Sequence, residues 1–275
     1  MTTCSFILST GRTSTENIAA IAGRAHPDAK VEHEGLGSEY FSRRVYRRPG
    51  KFAQVLGSHV PLQRKLIEIE DMITQGTRYL DVGWPCYAWL PYFSKRFSSR
   101  LRFAHLVRNP FHVAASLTTH GLFNPEIRAG RRWERIAMIH VDDPRVKYSK
   151  FAAVAEGFTP FERNLFHWLE LNEFMIEQHE REGFVGVFRF EELYEGQHPT
   201  VTVLLDQLVS KAQYDLNARA VDSVHRKLPA QIRKPNSQLV EAVIEVGTRL
   251  GYSEEYLRNS ASVEELNERY SRKRL

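Results

Sequence analysis

Short apolar runs recur along the chain, each closed by polar or glycine-containing residues and followed by hydrophobic positions at helical spacing. Phe6-Ile7-Leu8 is the first such run, and Ile18, Ala19 and Ile21 open a helical pattern that lasts to about Arg24. Residues 29–34 form a short second strand ending in His33 and Glu34, broken by Gly35 and Gly37. Leu62, Leu66, Ile69 and Ile73 make one stripe of an amphipathic helix. Residues 77–83 read as the next strand, followed by Trp84-Pro85 and an aromatic-rich helix through Phe97.

A nearly continuous apolar run begins at Leu101, as in strands buried on both faces of a parallel sheet, and stops at Arg108. His105 inside it reads as a core histidine. Pro110 fits the first position of a helix over 111–119. Residues 121–160, mixed in glycine, proline and charge, read as an insertion of the kind that carries ligand specificity. A helix over 161–180 with Leu165, Trp168, Leu169 and Ile176 inward precedes a strand over 184–190. Residues 200–250 read as helical, within a helical C-terminal part 200–275 that ends in the charged tail 271–274. Strands alternating with helices predict an α/β fold: a three-layer sandwich around a central, mostly parallel sheet, in one domain over 1–275.

Composition narrows this little. With 275 residues and 42% hydrophobic content the chain can bury a full core. The 38 Lys and Arg exceed the 33 Asp and Glu by a margin that fits a small acidic ligand better than a polyanion. No zinc-finger or RRM spacing points to nucleic acid. Two cysteines, Cys4 and Cys86, suit a reducing compartment. With no apolar stretch of membrane length, a cytoplasmic location with no membrane span is expected.

The candidate chemistry gathers after the first strand. Gly11 can take the positive φ of a sharp turn, Arg12 adds a full charge, and Ser14 or Thr15 would cap the helix that follows. Unpaired N–H groups and the helix dipole then favour an anion held by Gly11, Arg12, Thr13, Ser14 and Thr15. This is no Walker A loop, because the lysine is replaced by Arg12. His33 and Glu34, at the end of the second strand, are candidate general bases. Arg108 and Ser116, at a strand end and on the next helix, can converge on a second oxyanion. Arg43, Arg44, Arg47, Arg48 and Lys51 concentrate positive charge in a stretch with loop punctuation, where they could steer an anionic substrate.

On these residues the chain resembles the bacterial type of PAPS-dependent sulfotransferase, with its P-loop NTPase-like fold; PAPS is 3′-phosphoadenosine-5′-phosphosulfate. The stretch from Phe6 to Ala20 looks like that family's loop for the 5′-phosphosulfate. Arg108-Asn109-Pro110 with Ser116 is similar to its 3′-phosphate motif. Asp81-Val82-Gly83-Trp84-Pro85, the segment from Phe161 to Trp168 and the segment from Phe188 to Leu193 add to the likeness. The resemblance implies sulfuryl transfer from PAPS, without a metal, to a hydroxyl or amine of a small-molecule, carbohydrate or glycolipid acceptor. It implies Arg12 as electrostatic catalyst, Glu34 or His33 as base, and Arg108 with Ser116 on the 3′-phosphate, so that two cationic cradles after neighbouring strands grip one nucleotide.

The chain departs from the family in two places. The family loop commonly reads basic-Ser-Gly-Thr where this chain has Arg12-Thr13-Ser14-Thr15, and the late Gly- and Lys-rich motif of the family's eukaryotic cytosolic branch is missing. Arg226, Lys227, Arg233 and Lys234 are the cations available to replace it. A nucleotide-dependent phosphotransferase and a noncatalytic phosphate- or nucleotide-binding module are the alternatives.

Overall fold

The apolar runs fold as five strands, β1 (Cys4–Ser9), β2 (Lys30–His33), β3 (Tyr79–Val82), β4 (Leu101–Val107) and β5 (Phe184–Arg189). They form one all-parallel sheet in the order β2-β3-β1-β4-β5. In this computed structural model residues 2–36, 42–84, 86–127, 134–195, 199–216 and 228–271 are described. Tyr40, Pro85, Arg128, Arg131, Arg132, Trp133, Arg226, Lys227 and the tail beyond Ser271 lie outside them.

The chain divides into two compact units, the first comprising residues 1–107 and 175–222, the second 108–174 and 223–275. The sheet belongs entirely to the first. Its helices are α1 (Thr15–Ala25), α2 (Ser42–Arg47), α3 (Phe52–Gly57), α4 (Val60–Thr74) and α5 (Leu90–Phe97). The second unit supplies α6 (Pro110–Thr119) and most of α7 (Pro160–Ile176). The first unit resumes with α8 (Thr200–Leu208), and the second with α9 (Ser237–Arg249), α10 (Glu254–Ser260) and α11 (Val263–Ser271). No helix among the described residues is long and apolar enough to cross a membrane.

Side chains alternate across each strand, so every strand feeds two layers. Ile7, Leu80, Val82, Ala104 and Leu106 pack against Ile18, Ile21 and Ala22 of α1 and against Val201, Leu204, Leu205 and Leu208 of α8. On the opposite face Phe6 stacks on Phe93 of α5 with ring centroids 4.6 Å apart and meets Tyr79 edge-on. Helices therefore cover both faces of the sheet in the first unit. The stripe Leu62, Leu66, Ile69 and Ile73 of α4 is buried as its spacing predicts. His105 is fully buried, its Nδ1 3.1 Å from Nε2 of His179.

Three expectations change. The basic run 43–51 is helix and 3₁₀ turn rather than loop, because Val45 and Tyr46 are buried and anchor α2. Residues 200–250 are not continuously helical: α8 stops at Leu208, residues 209–216 and 228–236 are irregular, and α9 begins at Ser237. The Tyr214 hydroxyl sits 2.9 Å from Asp206 Oδ1 and 3.0 Å from the Ser210 carbonyl, folding the chain back on the end of α8. Helix α7 ends at Ile176 rather than at residue 180, and its polar side is buried as well. Glu170 accepts from the N–H groups of Lys147 and Tyr148, and Glu173 pairs with Lys147 and Arg249. A capping box starts that helix: Thr159 N–H donates to Glu162 Oε2, and Glu162 N–H to Thr159 Oγ1.

Candidate active site

β1 ends at Ser9, whose hydroxyl accepts from the Gly11 N–H at 3.1 Å and starts a tight turn. Gly11 (φ 78°), Arg12 (φ 60°) and Ser14 (φ 64°) all occupy the left-handed region. Only the first is a glycine. Left-handed backbone costs an L-residue roughly 1–2 kcal/mol, and strain of this kind collects where a loop must aim its N–H groups inward at an anion. A Cβ on Gly11 would lie 3.2 Å from Cδ1 of the Trp84 indole, a tight contact that adds to the demand its φ already makes for glycine.

The hydroxyls of the loop are used differently from the expectation of a cap. Ser14 stands at the cap position of α1 but its side chain makes no capping bond; Oγ lies 3.3 Å from the Tyr194 hydroxyl. Tyr194 also accepts from Asn17 Nδ2 at 2.8 Å, bracing the first turn of α1. Thr15 is the first helical residue, and its Oγ1 is 3.0 Å from His33 Nε2. Thr13 is fully buried, and its Oγ1 has no hydrogen-bond partner among the described residues. A buried hydroxyl in that state costs about 1–3 kcal/mol unless something bonds it. Two strained non-glycine residues and one unbonded buried hydroxyl in five positions fit an oxyanion seated in the loop.

The second pair stands at the same edge of the sheet. β2 closes at His33, and Glu34 leaves the strand with φ 54°, its N–H donating to the Val82 carbonyl at 3.2 Å. His33 Nε2 lies 3.7 Å from Glu34 Oε1 and 3.0 Å from Thr15 Oγ1, so the imidazole stands between the carboxylate and the loop. Burial holds the His33 pKa below its ordinary value, with Glu16 pulling weakly the other way. Gly83 makes room for Glu34: a Cβ there would come within 2.7 Å of Glu34 Cγ. Asp81, inside β3 and almost fully buried, accepts from the N–H groups of Gly35 and Leu36 at 3.1 and 3.2 Å. Burial raises its pKa to about 7.

Arg108 and Ser116 belong to the second unit. Asn109 caps α6, its Oδ1 accepting from the N–H groups of Phe111 and His112 at 3.0 and 3.3 Å, with Pro110 in the first turn. The Arg108 carbonyl accepts from Trp168 Nε1 at 3.1 Å. Ser116 is buried on α6, one turn beyond His112. The His112 ring faces Tyr270 of α11 at 6.0 Å between centroids. Burial, followed by the guanidiniums of Arg269 and Arg108, lowers the His112 pKa to about 4. Arg269 thus brings a second positive charge to the start of α6, which nothing in its sequence surroundings announces.

Sequence reasoning missed three residues here. Tyr194 braces the loop from 180 positions away, Asp81 holds the turn after Glu34, and Arg269 arrives on the last helix. The one available signal was an aspartate inside an otherwise apolar strand.

No protein-family model and no curated protein matches the chain. Among solved structures it is similar to the sulfotransferase domain from the curacin biosynthetic pathway, at 15% identity and a TM-score of 0.45, over 92% of this chain and 99% of that one. It is likewise similar to the sulfotransferase domain from the Synechococcus PCC 7002 olefin synthase, at 14% identity and a TM-score of 0.46, over 92% of this chain and 96% of that one.

Proposed function

We propose that the protein is a sulfotransferase that uses PAPS and transfers to a hydroxyl or amine of a small-molecule, carbohydrate or glycolipid acceptor. The observation that carries this reading is the loop from Gly11 to Thr15, left-handed at Gly11, Arg12 and Ser14, with the buried Thr13 hydroxyl unbonded and Thr15 tied to His33. An anion cradle and a pair of proton acceptors are joined through one threonine. The residues present fit a phosphosulfate, and the absence of a Walker lysine favours this donor over ATP.

When bound, PAPS supplies an activated sulfuryl group. Arg12, the loop N–H groups and the Thr13 hydroxyl hold the 5′-phosphate oxygens, on which negative charge grows as transfer proceeds. Arg108 and Ser116, by the likeness of their motif, hold the 3′-phosphate. The acceptor's proton passes to a carboxylate oxygen of Glu34. His33, whose Nε2 lies 3.0 Å from Thr15 Oγ1 and 3.7 Å from Glu34 Oε1, is the second candidate for the base. The chain's work is positioning and charge stabilisation.

Transfer of labelled sulfuryl from PAPS into a mixed acceptor extract tests this reading. Label moves with the wild-type protein and falls by about 100- to 1000-fold with Arg12→Ala, the usual loss for one oxyanion donor. No transfer by the wild type, or transfer unchanged in the variant, contradicts it.

A further inference from the structure

A carboxylate is costly in the middle of a parallel sheet, and Asp81 is in that position. It is paired in register with Phe6 of β1 and Glu32 of β2 and is almost fully buried. The titratable groups around it are Cys4 of β1, Glu32 of β2, Tyr79 of β3 and Lys65 of α4. Lys65 is engaged elsewhere, donating to Glu32 Oε1 at 2.8 Å, and the Tyr79 hydroxyl donates to Glu32 Oε2 at 2.9 Å. Glu32 therefore takes the cation and the phenol. The described bonds of Asp81 are two backbone N–H groups, Gly35 and Leu36, one to each carboxylate oxygen.

Those two groups form the turn that follows Glu34. We propose that Asp81 is a positioning residue: by gripping consecutive N–H groups from inside the sheet, its carboxylate sets the turn that presents Glu34 at the carboxyl edge. Glu34 is a non-glycine residue in left-handed backbone, which holds only where the surroundings over-determine it. They do so from two sides. The Asp81 carboxylate fixes the residues after it, and the bare Cα of Gly83 leaves the space its Cγ fills. An apolar residue at 81 would serve the core better, so the charge answers to the turn rather than to the sheet. Once protonated, Asp81 keeps one good acceptor oxygen for two donors, and the turn loosens. This inference rests on Glu34 as the base of the proposed transfer.

The test is Asp81→Asn, which keeps the shape and removes one acceptor. Amide hydrogen exchange at Gly35 and Leu36 is expected to quicken, and kcat for sulfuryl transfer to fall by about 100-fold, the scale of a displaced catalytic group. Binding of adenosine 3′,5′-bisphosphate stays unchanged. In the wild type kcat declines as pH falls through about 7, and in the variant that limb is gone. Gly83→Ala disturbs Glu34 from the other side: kcat falls while exchange at Gly35 and Leu36 stays slow, and this variant serves if Asp81→Asn does not fold. Wild-type exchange and kcat in Asp81→Asn overturn the proposal, as does wild-type kcat in Gly83→Ala. Faster exchange in Asp81→Asn with no transfer by any protein, wild type included, supports the grip on the turn and removes the sulfotransferase reading instead.

Discussion

Thr13 contributes nothing to stability with its hydroxyl: the group is buried and unbonded among the described residues. Thr13→Val keeps the shape and removes the oxygen. It is expected to leave stability equal or raise it by about 1–3 kcal/mol, while weakening adenosine 3′,5′-bisphosphate, read by urea denaturation and by titration of the nucleotide. A loss of stability would assign the hydroxyl to the fold. The left-handed turn at Gly11 was legible because a sharp turn after a strand needs such a residue locally. The fate of Ser14 was not, since the choice between capping and bonding Tyr194 is decided by a residue 180 positions downstream. Asp81 was hidden for the same reason, its two partners lying on the neighbouring strand's exit.

At the scale of elements, the apolar runs and the breaks after them marked β1, β3, β4 and β5, the polar β2 was found by its place between helix and glycine, and spacing alone gave the stripe of α4. Spacing placed Leu165, Trp168 and Leu169 of α7 inward, as they are, but ran the helix past Ile176 and did not register the polar residues buried by pairing with distant cations. Glu173 there is about 2% exposed and held by Lys147 and Arg249. Arg249→Met is expected to cost about 1.5–3 kcal/mol, the usual worth of a hydrogen bond to a charged group, seen as a lower urea midpoint. An unchanged midpoint would mean that Lys147 alone satisfies the carboxylate. Period also carried the helix of residues 200–250 too far, because Tyr214 turns the chain by contacts that periodicity does not encode.

Across the whole molecule the buried histidines set the acid limit. Burial, then His140, lowers the pKa of His167 to about 3, and His112 is lowered to about 4, with His33 and His26 also below their ordinary value. Between pH 4.5 and 6, as a rough window, His167 and His112 are neutral when folded and protonated when unfolded, so unfolding takes up protons. Asp81 works oppositely: protonated in the fold and ionised in the unfolded chain, it releases one. With at least two histidines against one aspartate, stability falls as pH drops, by about 1.4 kcal/mol per pH unit for each net proton. The melting temperature should decline from pH 6.5 to 4.5, and more steeply in Asp81→Asn; a flat profile would contradict the histidine assignments.

The most direct test of the central claim is a calorimetric titration of adenosine 3′,5′-bisphosphate in the absence of magnesium, set beside ATP with magnesium. The account predicts that the bisphosphate binds more tightly, that Arg12→Ala weakens it, and that Arg108→Ala weakens it far more than it weakens AMP. Tighter binding of ATP with magnesium, or equal losses for the bisphosphate and AMP in Arg108→Ala, would contradict it.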